Sequence, residues 1–231
     1  MRTKYSLASL GELIGDPARA SMLMALMDGR TLPAGELAMT AEVSAQSASG
    51  HLSKLIDGGL LSVENSGRHR YYRLADAEVG HALEALGAIA GAPGTTLVSR
   101  DMTQLRAARS CYDHLAGCTA VELTRVLEGQ QVIVPSGERD YELGSRGRTW
   151  FAELGVDTDG VRRSRRVFAR RCLDWTERRY HVAGALGAAL FSQLLALRWL
   201  ARMPKTRALR ITQAGREAFH KRFGISSGRT L

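Results

Sequence analysis

Apolar positions along this chain change spacing several times, and each change marks an element. An amphipathic stretch predicts a helix over Leu7–Ile14, and Asp16-Pro17 opens another, with Asp as N-cap and Pro in the first turn. Met22, Leu23, Leu26 and Met27 form the apolar face of that second helix, and Gly29 ends it. A third helix, over about 33–41, turns Leu37 and Ala38 inward. The most informative stretch follows. Ala48, Leu52, Leu55 and Ile56 recur at helical spacing on the far side of a polar surface, and Gly58-Gly59 stops the helix. Two short strands, at 60–64 and 70–74, are joined by Asn65-Ser66-Gly67, residues suited to a tight turn. A polar helix followed by a basic hairpin predicts a winged helix-turn-helix, whose helix can enter the DNA major groove while the hairpin follows the backbone.

Beyond the hairpin, Asp76 caps a helix running to about residue 90, and Gly91-Ala92-Pro93-Gly94 breaks it. This divides the chain into a DNA-binding domain, 1–92, and a C-terminal sensor or dimerisation region, 95–231. That region contains an internal repeat, at about 111–156 and 178–225. His114-Leu-Ala-Gly and His181-Val-Ala-Gly open stretches that run in parallel at an offset of 67 to 69. Leu123 and Leu127 match Leu190 and Leu194, Gly147-Arg148 match Gly215-Arg216, and Gly155-Val156 match Gly224-Ile225. Each copy reads helix, strand, turn, strand, helix, the same order as at 51–86. The expected fold is mainly α with small β-hairpins: a winged helix-turn-helix followed by two winged-helix-like repeats.

Composition sharpens this picture in one respect and complicates it in another. An apolar content of 45% supports a packed core. The net charge of +9 suits a nucleic-acid partner, but it is unevenly placed. Residues 1–98 hold 8 Lys/Arg against 10 Asp/Glu, and residues 99–231 hold 24 against 13. Local stripes rather than domain totals contact phosphates, and Lys54, Arg68, His69, Arg70 and Arg73 stand where a stripe is needed. Three cysteines offer no even disulfide framework, and the N-terminus lacks an apolar signal core. The longest apolar run, 182–197, is too short for a membrane span and is interrupted by Ser192 and Gln193. A cytoplasmic protein with no membrane association is expected.

The run Leu-Xaa-Xaa-Gly-Glu-Leu-Ala, the segment Val-Ser-Ala-Gln-Ser-Ala-Ser-Gly-His-Leu-Ser-Lys-Leu-Ile-Asp-Gly-Gly-Leu-Leu and the strand Arg-Tyr-Tyr-Arg-Leu resemble the ArsR/SmtB family of winged-helix regulators. The resemblance covers about residues 5–90 and implies a homodimeric repressor that leaves its operator when an inducer binds. It implies that Ser44, Gln46, Ser47, Ser49, His51 and Lys54 face DNA and that Arg68, His69 and Arg70 form the wing tip. The chemistry agrees: Gln46 can pair with an adenine edge, and Lys54 and the wing arginines can neutralise phosphates. His51 could equally be packed on the wing. Gly50 departs from the pattern, in which a basic residue is common. The family's thiol pair is absent from Glu36-Leu37-Ala38-Met39-Thr40, and its dimer-helix ligand pattern is not reproduced around Asp76, Glu78 and His81. Residues 95–231 resemble the extended C-terminal region of larger members.

Sensing candidates lie in the repeat: Cys111, His114 and Cys118, with Cys172 and His181 in the partner segment and Asp113 and Asp174 nearby. Cys111, His114 and Cys118 would share one helix face by their i, i+3, i+7 spacing. Such a set can bind a soft metal, react with an oxidant or electrophile, or simply pack. No metal site is assigned and no cofactor is expected; a small-molecule or redox inducer is. The run from Arg162 to Arg171, with six arginines in ten positions, can grip phosphates or be a solvated face. Read the first way, it supports an alternative function as an architectural nucleic-acid-binding or interaction module. Trp150, Trp175, Trp199, Tyr112, Tyr141 and Tyr180 can line a small-molecule pocket or fill the core. No phosphate loop, nucleophile elbow or His-Glu-Xaa-Xaa-His occurs, so no enzymatic activity is expected.

Overall fold

A computed structural model describes residues 6–66, 69–90, 100–204 and 206–225. The chain divides into two compact units, Met1–Ala82 and Leu83–Leu231. The expected boundary at Gly91–Gly94 lies outside the described residues.

The first unit contains α1 (Leu7–Ile14), α2 (Pro17–Ala25), β1 (Leu32–Pro33), α3 (Ala34–Thr40), α4 (Ala45–Asp57), β2 (Leu61–Ser66) and β3 (His69–Leu74). Asp16 caps α2 by accepting the Arg19 backbone N–H at 2.9 Å, and Pro17 follows in the first turn. Met22, Leu23, Leu26, Met27, Leu37, Ala38, Ala48, Leu52 and Leu55 are buried together as the apolar spacing requires. Between α3 and α4 the chain turns through Glu42 at φ +54°, and Val43 N–H closes the turn on the Ala38 carbonyl at 3.0 Å. The strands form a sheet in the order β1-β3-β2. The two-residue strand β1 was not expected. Its Pro33 pairs with Tyr71 on the sheet edge, the position that tolerates a missing N–H.

Helix α5 (Ala77–Ala90) starts in the first unit, where Asp76 accepts the Val79 N–H at 3.0 Å. The second unit is a mixed helix and sheet structure. It runs α6 (Arg100–Ala107), β4 (Arg109–Cys111), β5 (His114–Ala116), α7 (Cys118–Gly129), β6 (Ile133–Ser136), β7 (Asp140–Leu143), α8 (Gly147–Leu154) and α9 (Thr158–Arg162). It continues with β8 (Arg170–Leu173), β9 (Tyr180–Ala183), α10 (Gly184–Ala196), β10 (Leu200–Arg202), β11 (Leu209–Ile211) and α11 (Gln213–Phe223). The apolar run at 182–197 ends β9 and then forms α10, whose Leu186, Leu190, Phe191 and Leu194 are core residues. Among the described residues no helix is long and apolar enough to cross a membrane.

Both halves of the second unit run hairpin, helix, hairpin, helix, and their constrained backbone positions recur. Gly117 and Gly184, both at positive φ, precede or open α7 and α10. Gln131 and Arg198, at φ +55° and +56°, end those helices. A Cβ on Gly147 would lie 2.4 Å from the Val132 carbonyl, and one on Gly215 would lie 2.0 Å from that of Trp199. The helix after each hairpin therefore crosses too close to the preceding backbone for any side chain. The halves are joined as well as repeated. The hairpins β6–β7 and β8–β9 form one sheet, β6-β7-β8-β9, through the Asp140–Arg170 pair.

One local expectation is corrected. Cys111 and His114 are not on a helix; they are cross-strand partners in the β4–β5 hairpin. Tyr112 at φ +58° supplies the tight turn, so the run that matched helical spacing doubles back instead. Cys118 opens α7.

Candidate functional site

The amphipathicity of α4 decides which side chains are available. Ala48, Leu52 and Leu55 are buried, and the opposite face carries Ser44, Gln46, Ser47, Ser49 and Lys54, all exposed. Ser44 is also the N-cap: its hydroxyl accepts the Ser47 backbone N–H at 3.1 Å, leaving its own proton free to donate. The positive end of the helix dipole thus coincides with the polar face, where a phosphate would be favoured. His51 is half-buried and turns its Nδ1 toward Asp16 Oδ1, 3.6 Å away at the start of α2. In the wing, Arg70 is exposed, with its guanidinium 5.7 Å from the Tyr72 ring centroid. Arg73 is matched by Glu64 at 2.7 Å across the hairpin. Arg68 and the side chain of His69 lie outside what the structure describes.

A second constellation forms where the two halves of the C-terminal unit meet. Cross-strand pairing sets Cys111 beside His114 in one hairpin and Cys172 beside His181 in the other. The hairpins bring Cys111 Sγ to 4.0 Å from Cys172 Sγ, and His114 Nε2 to 3.1 Å from His181 Nε2. The four donor atoms all lie within 4.8 Å of one another and are buried. Of the five sensing candidates, Cys118 alone stands outside this group. Hydrogen bonding to Cys172 and burial push the Cys111 thiol well above the ordinary range, which opposes a reactive thiolate.

Around the tetrad lies a layer of charged groups. His114 Nδ1 faces Asp113 Oδ1 at 3.3 Å, and Asp113 is paired with Arg166 at 2.6 Å. His181 Nδ1 faces Asp174 Oδ2 at 3.5 Å, and that oxygen also accepts from Arg109 at 3.1 Å and from the Gly117 N–H at 2.6 Å. Arg109 is fully buried; it reaches Glu84 at 2.7 Å and lies 4.9 Å from the Trp175 ring centroid. Burial works against ionisation of Asp174, but Arg109 and the surrounding donors outweigh it and hold the carboxyl at about 2. The sequence reading missed Arg109 and Glu84, because nothing in a local pattern marks an arginine as buried.

The other candidates take different places. Arg162, Arg163, Arg166 and Arg170 each face a carboxylate, of Glu142, Asp157, Asp113 and Asp140 respectively. That leaves less free charge for phosphates than the sequence suggests. Trp150 packs against Phe151 and Phe223, and Trp199 against Phe219 and Phe223, at centroid distances of 5.0 to 6.3 Å, so they extend the core.

The first unit has counterparts among known proteins. A helix-turn-helix domain family matches residues 14–64. The chain is 46% identical over 222 residues to the uncharacterized HTH-type transcriptional regulator YdfF of Bacillus subtilis (strain 168), a match spanning 95% of this chain and 98% of that protein. It is 40% identical over 81 residues to the HTH-type transcriptional regulator CmtR of Mycobacterium tuberculosis, covering 35% of this chain and 68% of that one. Among solved structures it resembles the cadmium metal-sensor CmtR from the same organism, at 36% identity and a TM-score of 0.33, over 39% of this chain and 94% of that one.

Proposed function

The chain belongs to the helix-turn-helix transcriptional regulators, with an ArsR-type winged helix at its N-terminus, and on that premise we propose that it is a homodimeric repressor released from its operator by an inducer sensed in the C-terminal unit. The observation that carries the reading is the division of α4. Three buried apolar residues anchor it, and Ser44, Gln46, Ser47, Ser49 and Lys54 are left in solvent beside an exposed Arg70. Gln46 reads a base edge, the serines position the helix, and Lys54 and Arg70 neutralise phosphates. His51, half-buried with Nδ1 3.6 Å from Asp16 Oδ1, is kept with this face as a further DNA contact.

Dimerisation is supported by α1. Its Leu7, Leu10, Leu13 and Ile14 make an apolar helix, yet none of its residues is buried, and Leu7 is 86% exposed. A second copy is the simplest cover for such a surface.

The test is a mobility shift with a duplex from upstream of the protein's own reading frame. Gln46→Ala should cost about 1–3 kcal/mol per half-site and relax specificity at one base position. Lys54→Ala should weaken binding to all sequences and reduce the salt slope by about 1 per contact. A double variant that binds as tightly as wild type at moderate salt overturns the assignment of α4 as the reading helix.

A further inference from the structure

The internal repeat supplies one Cys and one His from each of two hairpins, and we propose that Cys111, His114, Cys172 and His181 bind a single zinc-type ion that clamps β4–β5 to β8–β9. Two thiolates and two imidazoles are the donor set of tetrahedral Zn²⁺, and they are unsuited to Mg²⁺ or Ca²⁺. The spacing agrees with that geometry. Metal–sulfur bonds of about 2.3 Å and metal–nitrogen bonds of about 2.0–2.1 Å place tetrahedral S···S and N···N pairs at about 3.8 and 3.3 Å. Here they stand at 4.0 and 3.1 Å, with all four donors within 4.8 Å.

The surroundings also fit a metal. Both histidines present Nε2 to the centre and turn Nδ1 toward an aspartate, Asp113 at 3.3 Å and Asp174 at 3.5 Å. A carboxylate behind a ligating imidazole fixes its orientation and raises its basicity. Asp113 is paired with Arg166 at 2.6 Å, and Asp174 and Glu84 share Arg109 at 3.1 and 2.7 Å while Arg207 also faces Glu84 at 3.3 Å. With three carboxylates and three guanidiniums, the surrounding charges are already balanced. A dication then meets two thiolates, with the thiol protons released to solvent, and the buried site closes at zero net charge without any redox change. Four protein donors leave no position for water, so this is a structural or sensing site and not a catalytic one.

The experiment is metal analysis and Co²⁺ titration of the reduced full-length protein. One ion per chain is expected. Co²⁺ should give the visible bands of a tetrahedral ion together with thiolate-to-cobalt charge transfer in the near ultraviolet, and Zn²⁺ should displace it. The chain has three cysteines, so Cys118→Ser leaves only the two in the tetrad. It should keep the full spectrum, which assigns the thiolates even if Cys111→Ser or Cys172→Ser fails to fold. Zn²⁺ should raise the thermal midpoint and a chelator should lower it. Three results would overturn the site: a folded reduced protein that takes up neither ion, a Co²⁺ spectrum without thiolate charge transfer, or loss of that spectrum in Cys118→Ser. Operator binding by α4 is measured separately and survives any of them.

Discussion

Replacing Arg109 with Leu removes a fully buried guanidinium from between Glu84 and Asp174 and leaves two carboxylates facing an apolar side chain. Two routes give the size of the loss. Asp174 is held at about 2 against an ordinary 3.8, nearly two units, or about 2–3 kcal/mol, and much of that comes from Arg109. Removing one member of a buried ion pair costs about 3–5 kcal/mol in general, because the remaining charge is uncompensated. Arg207, 3.3 Å from Glu84, keeps part of that carboxylate's compensation, so about 3 kcal/mol is the working figure. In a unit of this size that lowers the melting midpoint by about 6–12 °C. The pH dependence carries the same signature. Glu84 and Asp174 both have lowered folded values despite their burial, so their contribution is complete above the unfolded carboxyl range near 4. It is lost as pH falls from about 4 through the folded value of Asp174 at about 2. Calorimetry on wild type and Arg109→Leu from pH 7 to pH 3 measures both effects. The variant should melt lower at pH 7 and lose less on acidification. Equal midpoints at pH 7 would refute the view that Arg109 holds these carboxylates ionised.

Gly215→Ala should destabilise the second unit by about 2 kcal/mol or more, since the new Cβ would stand 2.0 Å from the Trp199 carbonyl; an unchanged urea midpoint would show that α11 can move aside. Gly50→Ala is the opposite case. Gly50 is an exposed interior residue of α4 whose Cβ would meet nothing within 4 Å, so the first unit should gain about 0.5–1 kcal/mol in the same assay, and a loss would argue against the helical backbone there. Ser44→Ala should cost about 1 kcal/mol of first-unit stability by uncapping α4, with recovery of most of it in Ser44→Asp; equal stability of all three proteins would remove the capping role.

The first unit was legible because its sequence signals are local and agree with one another. Asp16-Pro17 caps α2, Ala48, Leu52 and Leu55 define the inner side of α4, and the hairpin strands lie within one or two residues of their expected ends. The repeat was legible for a different reason. Gly147 and Gly215 are fixed by the same close approach to a carbonyl, so similar residues had to recur at similar places. What escaped was non-local or carried by an uncharacteristic residue. The β4–β5 turn is Tyr112-Asp113, with no glycine to announce positive φ, and Cys111 and His114 consequently matched a helical spacing. The joining of β7 to β8 rests on a single residue pair, Asp140 with Arg170. The approach of His51 to Asp16, 35 positions earlier in the chain, was likewise not legible from local spacing.

Asp174 gives the second unit its particular economy of buried charge. Its Oδ2 is approached by Arg109, by the Gly117 N–H and by His181 Nδ1, and its Oδ1 accepts from the Thr176 hydroxyl and the backbone N–H groups of Thr176 and Glu177. One carboxylate therefore ends the Glu84–Arg109 chain that starts on α5 and also backs the imidazole of His181. Arg109 and the Gly117 N–H thus share the lone pairs of the same oxygen that His181 Nδ1 approaches at 3.5 Å. Asp113 performs the matching service for His114, but its arginine is partly exposed, so solvent screens that side. The two halves of the repeat thus repeat the motif of imidazole, aspartate and arginine while differing in electrostatic reach. This asymmetry is a property of burial, Asp174 and Arg109 being enclosed where Arg166 is partly exposed, and the recurring residues of the two halves do not reveal it.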